Sequence, residues 1–332
     1  MSAAPPLPVH DPSTAPPFEL FEDVACILCG SESREPVVTA QEDLTGKPGD
    51  FTFVRCLDCS LVYQHPRLPI HHIGAYYDDE YIAHRKSQSW GKLTGFFEWL
   101  MGKLDRDKTE ICQRYVDIGP ETKVLDVGCG AGGFLAHLHE TRKAVGTGVD
   151  FKDLSQQIGE FGGGAIDFLH GTLTPELLGD KRFDLVSMWH FLEHDYDPLG
   201  SLAVARDALN DGGRLVIEVP RLDSLTAKLY GRRWPGWQAP QHTVALDKAC
   251  LLRMVEQAGL EVVDYLPYGA YPGYFYVYAG AAFVLKRGRG LDLRRAIVSY
   301  LAGQIALTPV MLFERKLNLS MQVVVCKRPG SA

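Results

Sequence analysis

The chain has 332 residues, of which 46% are hydrophobic and 23% are charged, and its formal net charge at pH 7 is −7. This length and composition are those of a soluble globular protein with a sizeable core. The acidic balance counts against a large nucleic-acid interface, which is usually basic, so we expect no nucleic-acid partner.

The N-terminal residues 1–20 are rich in proline, alanine and serine. This composition predicts a disordered tail. No apolar run follows a basic start, so the sequence predicts no secretory signal. Eight cysteines without such a signal indicate a reducing compartment rather than a disulfide framework, and we therefore expect a cytoplasmic protein.

Two C-x-x-C pairs follow the tail, Cys26 with Cys29 and Cys56 with Cys59. Each pair places two thiolates on one tight turn, and two such turns complete a tetrahedral Cys₄ zinc site. Short strand patterns between the pairs are typical of a zinc ribbon, which we predict over 21–65. Because cysteines would occupy all four metal positions, the predicted zinc is structural.

From about residue 115 onward, apolar strand patterns alternate with helical patterns. This alternation predicts an α/β domain over 115–332 with a doubly wound, mostly parallel sheet covered by helices on both faces. The ligand site of such a sheet lies at the carboxyl ends of its strands. The strand patterns cover 123–128, 144–150, 165–171, 183–190, 214–220, 261–267 and 321–327.

The first two of these strands end in residues suited to a nucleoside ligand. VLDVGCGAGGF places Asp126 before a run of glycines, where its carboxylate can hold the ammonium of an amino acid. Glycines let the backbone approach a ligand that a Cβ would exclude. The next strand ends at Asp150, which can accept hydrogen bonds from two ribose hydroxyls. The glycine spacing also satisfies G-x-G-x-x-G, so an NAD-dependent oxidoreductase is an alternative, although Asp126 and the final strand pair disfavour it.

Taken in order, VLDVGCGAGGF, GVD, HFLEHDYDP and LNDGGRLVIEVP resemble the class I S-adenosylmethionine-dependent methyltransferases over about 115–332. The resemblance implies a Rossmann-like, seven-stranded sheet whose last strand is antiparallel. Many members carry an acid after the third strand to bind adenine, and here Thr172 and Leu173 stand in that place. The other implied contacts of S-adenosylmethionine are Asp126, Gly128, Gly130, Gly132, Phe134, Asp150 and Phe151.

The front half is similar to a zinc-ribbon extension found ahead of many bacterial methyltransferases that act on sugars, lipids and secondary metabolites. The stretches that carry this resemblance are VACILCGS, FVRCLDCSLVYQHPRLP and YYDDEYI. It implies a small-molecule, sugar or lipid acceptor and a helical lid or linker, 66–114, over the cofactor. Tyr76, Tyr77 and Tyr81 occupy the matching positions of that segment. An RNA methyltransferase is the alternative within the class, and the low basicity disfavours it.

Residues 190–194, HFLEH, match the H-x-x-E-H pattern of a group of zinc peptidases. Such an enzyme needs both histidines on a sustained helix. A strand pattern precedes this segment, and Asp197 with Pro198 is typical of the start of a new helix. HFLEH is therefore predicted to form at most one turn, and the peptidase hypothesis is disfavoured.

At the end of the fourth strand, the same turn would lie beside the cofactor's sulfonium. His190 or His194 could there remove a proton from a hydroxyl acceptor, because a histidine pKa is near neutral. The segment also resembles E-x-x-E-H of ubiquinone-pathway O-methyltransferases, where the three side chains are linked to a divalent metal. A metal bound by His190, Glu193 and His194, and a purely structural role of His194, therefore stay open.

A loop broken by glycine and proline, 231–247, follows the fifth strand and contains Trp234, Trp237 and His242. Exposed tryptophans are unfavourable, so these two are predicted to line a pocket or to pack under a lid. His242 is a further candidate for the base or for an acceptor contact.

An apolar insertion, 268–317, separates the last two strands and is far longer than an ordinary connection. It consists of two apolar stretches around the basic segment KRGRGLDLRR. Three roles stay open: a helical hairpin in a membrane interface, which would place the protein peripherally at the inner face of the membrane, a roof over the acceptor pocket, or a dimer surface.

Overall fold

The computed structural model describes residues 10–77, 91–162, 165–286, 290–311 and 313–331. The strands are β1 Arg34–Gln41, β2 Asp50–Cys56, β3 Val62–Gln64, β4 Lys123–Val127, β5 Val145–Asp150, β6 Ile166–His170, β7 Phe183–Trp189, β8 Leu209–Pro220, β9 Val244–Ala245, β10 Glu261–Leu266 and β11 Met321–Lys327. The helices are α1 Ile70–Ile73, α2 Thr94–Cys112, α3 Gly133–Arg142, α4 Ser155–Gly162, α5 Pro175–Leu178, α6 Pro198–Asp207, α7 Leu225–Tyr230, α8 Lys248–Gln257, α9 Gly273–Lys286, α10 Leu293–Met311 and α11 Glu314–Leu317.

Seven strands form the large sheet in the order β10-β11-β8-β7-β4-β5-β6. All neighbouring pairs from β8 to β6 are parallel, whereas β11 runs antiparallel to both β8 and β10. The predicted doubly wound sheet with an antiparallel last strand is therefore confirmed. The strand order reverses between β4 and β7, and the crevice at their carboxyl ends is the expected place for a ligand.

The central strands are near-continuous apolar runs because helices cover both faces of the sheet. Val323, Val324 and Val325 in β11 are all fully buried. Asp197 caps α6 by accepting a hydrogen bond from the amide of Gly200, as its position before Pro198 predicts. HFLEH contributes only a single turn of 3₁₀ helix, Leu192–His194, so the long helix of a zinc peptidase is not formed.

A four-stranded antiparallel sheet contains the predicted ribbon, but its fourth strand comes from the α/β domain. The strand order is β1-β2-β3-β9, and Val62 and Tyr63 pair with Ala245 and Val244. The side-chain amide of Gln64 is buried and donates to the carbonyls of Pro240 and His242 at 3.3 and 3.2 Å. No local sequence pattern predicts this pairing, because β9 has only two residues.

The tail predicted over 1–20 lies only partly within the described residues. Phe18–Leu20 form a turn of 3₁₀ helix, and the ring of Phe21 lies 6.1 Å from that of Phe51. Phe21 follows the predicted tail, and Phe18 within the tail is 77% exposed, so disorder over 1–20 stays a prediction.

The late insertion forms α9 and α10, which pack against each other through tyrosines. The Tyr274 hydroxyl donates to the carbonyl of Tyr300 at 2.8 Å, and the two rings are 5.0 Å apart. Among the described residues, no helix combines the length and the hydropathy that a membrane span requires.

Candidate functional site

A cavity of about 660 Å³ opens at the carboxyl ends of β4 and β7. Its walls come from the glycine loop after β4, the HFLEH turn after β7, α2, α9 and the tryptophan loop 231–242. Trp234 and Trp237 are buried in this wall, as the sequence predicts. The predicted site residues that line the cavity are Asp126, Gly128, Gly130, Phe134, His190, His194 and His242.

The glycine loop has a backbone that only glycine adopts readily. Gly128, Gly130 and Gly132 have φ angles of 73°, 53° and 78°, which lie in the left-handed region. A Cβ at Gly128 would lie 3.0 Å from the ring of Phe191. The amides of Gly128 and Cys129 both donate to the carbonyl of Val149, so the loop is held against the end of β5.

Asp150 lies at the end of β5, beside the glycine loop. Its side chain is buried and accepts hydrogen bonds from the amides of Gly130 at 3.0 Å and Lys152 at 2.9 Å. Phe151 follows it, is 48% exposed, and has its ring 5.2 Å from that of Tyr77. Gly132, Asp150, Phe151 and Tyr77 do not line the cavity, so their contacts with a ribose and a base stay predictions.

Asp126 lies at the opposite end of the glycine loop, buried under α2. It accepts a hydrogen bond from the Ser187 hydroxyl at 2.6 Å. Burial raises the pKa of Asp126 to about 6, although the nearby ammonium of Lys108 opposes this shift. The Lys108 ammonium lies 5.5 Å from the ring centres of both Phe134 and Trp189. The sequence analysis missed Lys108, because α2 precedes the methyltransferase motifs and carries no motif of its own.

Trp189 adds an unused donor to the same wall. Its indole Nε1 is buried and has no hydrogen-bond partner among the residues that the structure describes. A buried donor without a partner is unfavourable, so a ligand acceptor at this place would stabilise the site.

His190 is held between two buried carboxylates. Its Nδ1 lies 3.2 Å from Glu193 and its Nε2 lies 3.2 Å from Glu218. Burial lowers the pKa of His190, but the hydrogen bonds and charges of the two glutamates outweigh it and raise the pKa to about 9. His190 is therefore a cation at neutral pH and would have to lose this proton before acting as a base.

Glu218 ties this cation to the late insertion. Its carboxylate accepts hydrogen bonds from the amides of Ala270 at 2.6 Å and Tyr271 at 2.9 Å. A Cβ at Gly269 would collide with the same carboxylate, so the close approach requires glycine there. The sequence analysis missed Glu218, although a carboxylate within the apolar run LVIEVP is a signal that could have found it.

His194 and His242 face each other, with ring centres 4.4 Å apart. His194 Nδ1 lies 2.8 Å from the Tyr77 hydroxyl and 3.1 Å from the carbonyl of Gln241. His242 is buried, which lowers its pKa to about 3, with His194 as the next cause. Its Nδ1 lies 2.8 Å from the carbonyl of Gly236. A carbonyl only accepts, so His242 is neutral with its hydrogen on Nδ1 and a lone pair on Nε2.

One set of residues near the cavity has the spacing of a cation site. Atoms of Glu193, His194 and His242 that could bind a metal lie within 4.8 Å of one another. The Glu193 Oε2 atom is buried and has no hydrogen-bond partner among the described residues. The sequence suggests His190, Glu193 and His194 as metal ligands, and this set contains His242 in place of His190. Each ring nitrogen of His190 faces a carboxylate instead.

The four predicted zinc ligands lie together at the two knuckles of the small sheet. Their Sγ atoms are all within 4.8 Å of one another, with 3.4 Å between Cys26 and Cys59 and 3.5 Å between Cys29 and Cys56. These distances are too long for disulfides. The two knuckles have the same backbone geometry. Gly30 and Ser60 both have a left-handed φ, and their amides donate to the carbonyls of Cys26 and Cys56, respectively.

The remaining predicted contacts have different surroundings. Thr172 is exposed after β6, Leu173 is buried in the core, and neither lines the cavity, so the adenine contact stays a prediction. Tyr76 is fully buried, with its ring packed edge-on against Phe51, as expected for a packing residue. Tyr81 lies outside the described residues.

Several known proteins resemble this chain. A ubiquinone biosynthesis O-methyltransferase of Idiomarina loihiensis is 32% identical over 152 residues, which are 42% of this chain and 61% of that protein. A protein of the same name from Cereibacter sphaeroides is 28% identical over 152 residues, with 43% and 61% covered. The match thus spans about three fifths of the length of these curated relatives.

Two solved structures resemble the chain at low identity. A TehB-like SAM-dependent methyltransferase from Corynebacterium glutamicum is 16% identical, with a TM-score of 0.44 and coverage of 74% of this chain and 97% of that one. A SAM-dependent methyltransferase from Thiobacillus denitrificans, in complex with S-adenosyl-L-homocysteine, is 17% identical, with a TM-score of 0.41 and coverage of 67% and 90%.

A sequence-family model described as "Methyltransferase domain" matches residues 96–265. The matched region begins in α2 and ends in β10, and it includes the glycine loop, Asp150 and the HFLEH turn. Because this match covers half of the chain, the protein belongs to this methyltransferase family.

Proposed function

We propose that this protein transfers the methyl group of S-adenosylmethionine to a hydroxyl group of a small-molecule acceptor. The observation that carries the proposal is a single cavity that joins Asp126 and the glycine loop to His194 and His242. Family membership supports the reaction class. The relatives named as O-methyltransferases support oxygen as the acceptor atom and a small molecule as the acceptor.

The residues around the glycine loop fit the cofactor. Asp126 would bind the ammonium of its amino acid part, and Lys108, within reach of the same pocket, would bind the carboxylate. The glycine loop and Asp150 would hold the ribose, Phe151 and Tyr77 would adjoin the base, and Thr172 with Leu173 would lie at its edge. When bound, S-adenosylmethionine supplies an electrophilic methyl group.

Among the three histidines, His194 is best placed to act as the base. His190 is already protonated, and the low pKa of His242 makes it a weak proton acceptor. His194 lines the cavity, and its Nδ1 lies 3.1 Å from the carbonyl of Gln241, so an anchored imidazole would face the acceptor hydroxyl and accept its proton. His242 and Tyr77 would orient its ring.

His194→Ala is expected to reduce methyl transfer by about 10²- to 10⁴-fold, because the acceptor proton loses its base. The measurement is transfer of a tritiated methyl group from S-adenosylmethionine to a panel of catechols, sugars and prenylated phenols. Binding of S-adenosylhomocysteine should stay within about threefold, since no cofactor residue changes. His71→Ala is the matched control, because His71 is exposed on α1 outside the cavity wall. Full turnover by His194→Ala would contradict the assigned base.

We further propose that Cys26, Cys29, Cys56 and Cys59 bind one structural zinc ion. The four thiols and their two matching knuckles support this proposal. Zinc would fix the ribbon, 21–65, whose sheet includes β9 of the domain 115–332. The segment 66–114 would then act as a lid or linker, with α2 forming one wall of the cavity.

Cys56→Ser is expected to remove about one equivalent of zinc, measured by atomic emission on purified protein, because the site loses one of its four thiolates. Cys326→Ser is the matched control, since Cys326 is buried in β11 and belongs to no cluster of metal ligands among the described residues. His194→Ala should also keep its zinc. Loss of zinc from His194→Ala with retention by Cys56→Ser would place the metal in the cavity instead.

We also propose that the insertion 268–317 contacts a membrane surface from the cytoplasmic side. Large apolar side chains are exposed on its helices: Leu285 is 82%, Val298 is 77% and Ile305 is 75% exposed. Basic side chains lie beside them, including Lys286 and the 90% exposed side chain of Arg295. Apolar and basic groups on one surface favour binding to anionic lipid.

The double variant Val298→Glu/Ile305→Glu is expected to lose most of its sedimentation with phosphatidylglycerol vesicles, because two acids would enter the proposed lipid-facing surface. Val145→Glu/Val263→Glu adds the same charge at exposed positions on β5 and β10 and should sediment like the unchanged protein. Equal sedimentation of both variants would refute contact through α10.

A further inference from the structure

We propose that an apolar groove beside the cavity binds the hydrocarbon tail of the methyl acceptor, which is therefore a lipid-type molecule. This inference rests on the proposed methyl transfer and narrows its acceptor. The groove has a volume of about 140 Å³ and lies between α2 and the insertion helices. Its walls include Phe96 and Leu100 of α2, Pro272 before α9, and Ile297 and Tyr300 of α10.

The groove adjoins the cavity of the proposed reaction. Phe97, Met101, Leu104, Tyr271 and Phe275 line both spaces. An acceptor whose head lies near the histidines would therefore pass this shared wall to place its chain in the groove.

The shared wall is held in place at the reaction end. The amide of Tyr271 donates to the buried Glu218 carboxylate, and the Tyr271 ring lies 4.9 Å from that of His190. Glu218 therefore contacts both the wall of the tail site, through Tyr271, and the HFLEH turn, through His190.

The chemistry of the groove suits a hydrocarbon rather than a sugar. Its polar side chains are Lys103, Asp107 and Gln304, and Lys103 forms an ion pair with Asp107. The facing residues Phe96, Leu100 and Ile297 are only half-buried, so apolar surface is available to a ligand. Each methylene that is fully buried on binding strengthens affinity by up to about fourfold.

The test uses the full-length protein with saturating S-adenosylhomocysteine and the fluorescent probe 11-(dansylamino)undecanoic acid. We expect the probe to bind and straight-chain alcohols to displace it, with displacement improving steeply from hexanol to decanol. Ile297→Trp fills the groove and should weaken probe binding by at least about tenfold. Val145→Trp is the matched control, since Val145 lies on β5, is 50% exposed and lines neither the groove nor the cavity. It should bind the probe like the unchanged protein.

Ile297→Ala provides a second readout, because a wider groove should tolerate a longer alcohol, whereas a damaged fold would weaken all chain lengths alike. Unchanged probe binding by Ile297→Trp, or equal weakening by Val145→Trp, would overturn the tail site. Calorimetry with S-adenosylhomocysteine separates the two proposals. If that ligand binds and the groove variants have no effect, only the tail site fails. If the probe binds as expected and S-adenosylhomocysteine does not bind, the proposed methyl transfer fails.

Discussion

The ion pair of His190 with Glu218 is the interaction on which the arrangement of the site depends. A buried carboxylate is unfavourable unless it is paired and hydrogen-bonded. Glu218 meets this requirement with His190 and with the amides of Ala270 and Tyr271. One acid at the end of β8 therefore joins the turn after β7 to the start of the insertion. The backbone of His190 is left-handed, with φ of 54°, and its amide donates to the backbone carbonyl of Glu218.

The small sheet is coupled to the same site through the side-chain amide of Gln64 and through strand β9. Gln64 donates to the carbonyls of Pro240 and His242, and β9 begins two residues after His242. The ribbon thereby supports the loop that carries this histidine and the two tryptophans. Zinc at the four cysteines would stabilise this support without entering the reaction, as expected for a metal site with no open position.

The features that sequence predicts well are those set by local chain geometry. The glycine loop and the cysteine knuckles follow from short motifs, and the mostly parallel sheet covered by helices follows from the alternation of elements, whereas the antiparallel last strand follows from the family resemblance. Lys108 and Glu218 are contributed by α2 and β8, and only the tertiary fold brings them to the cavity. The tail groove forms between α2 and the helices of the insertion 268–317, which are far apart in the sequence. No local sequence pattern therefore predicts it.

The proposed methyl transfer depends most on the binding of S-adenosylmethionine in the cavity through Asp126. The direct measurement is calorimetry with S-adenosylhomocysteine and with NAD between pH 5 and 8. We predict binding of S-adenosylhomocysteine alone, with affinity falling below pH 6 as Asp126 becomes protonated. Asp126→Asn should weaken binding about ten- to hundredfold and abolish that pH dependence, whereas Asp167→Asn, an exposed acid on β6, should have no effect. Binding of NAD without S-adenosylhomocysteine would contradict the account.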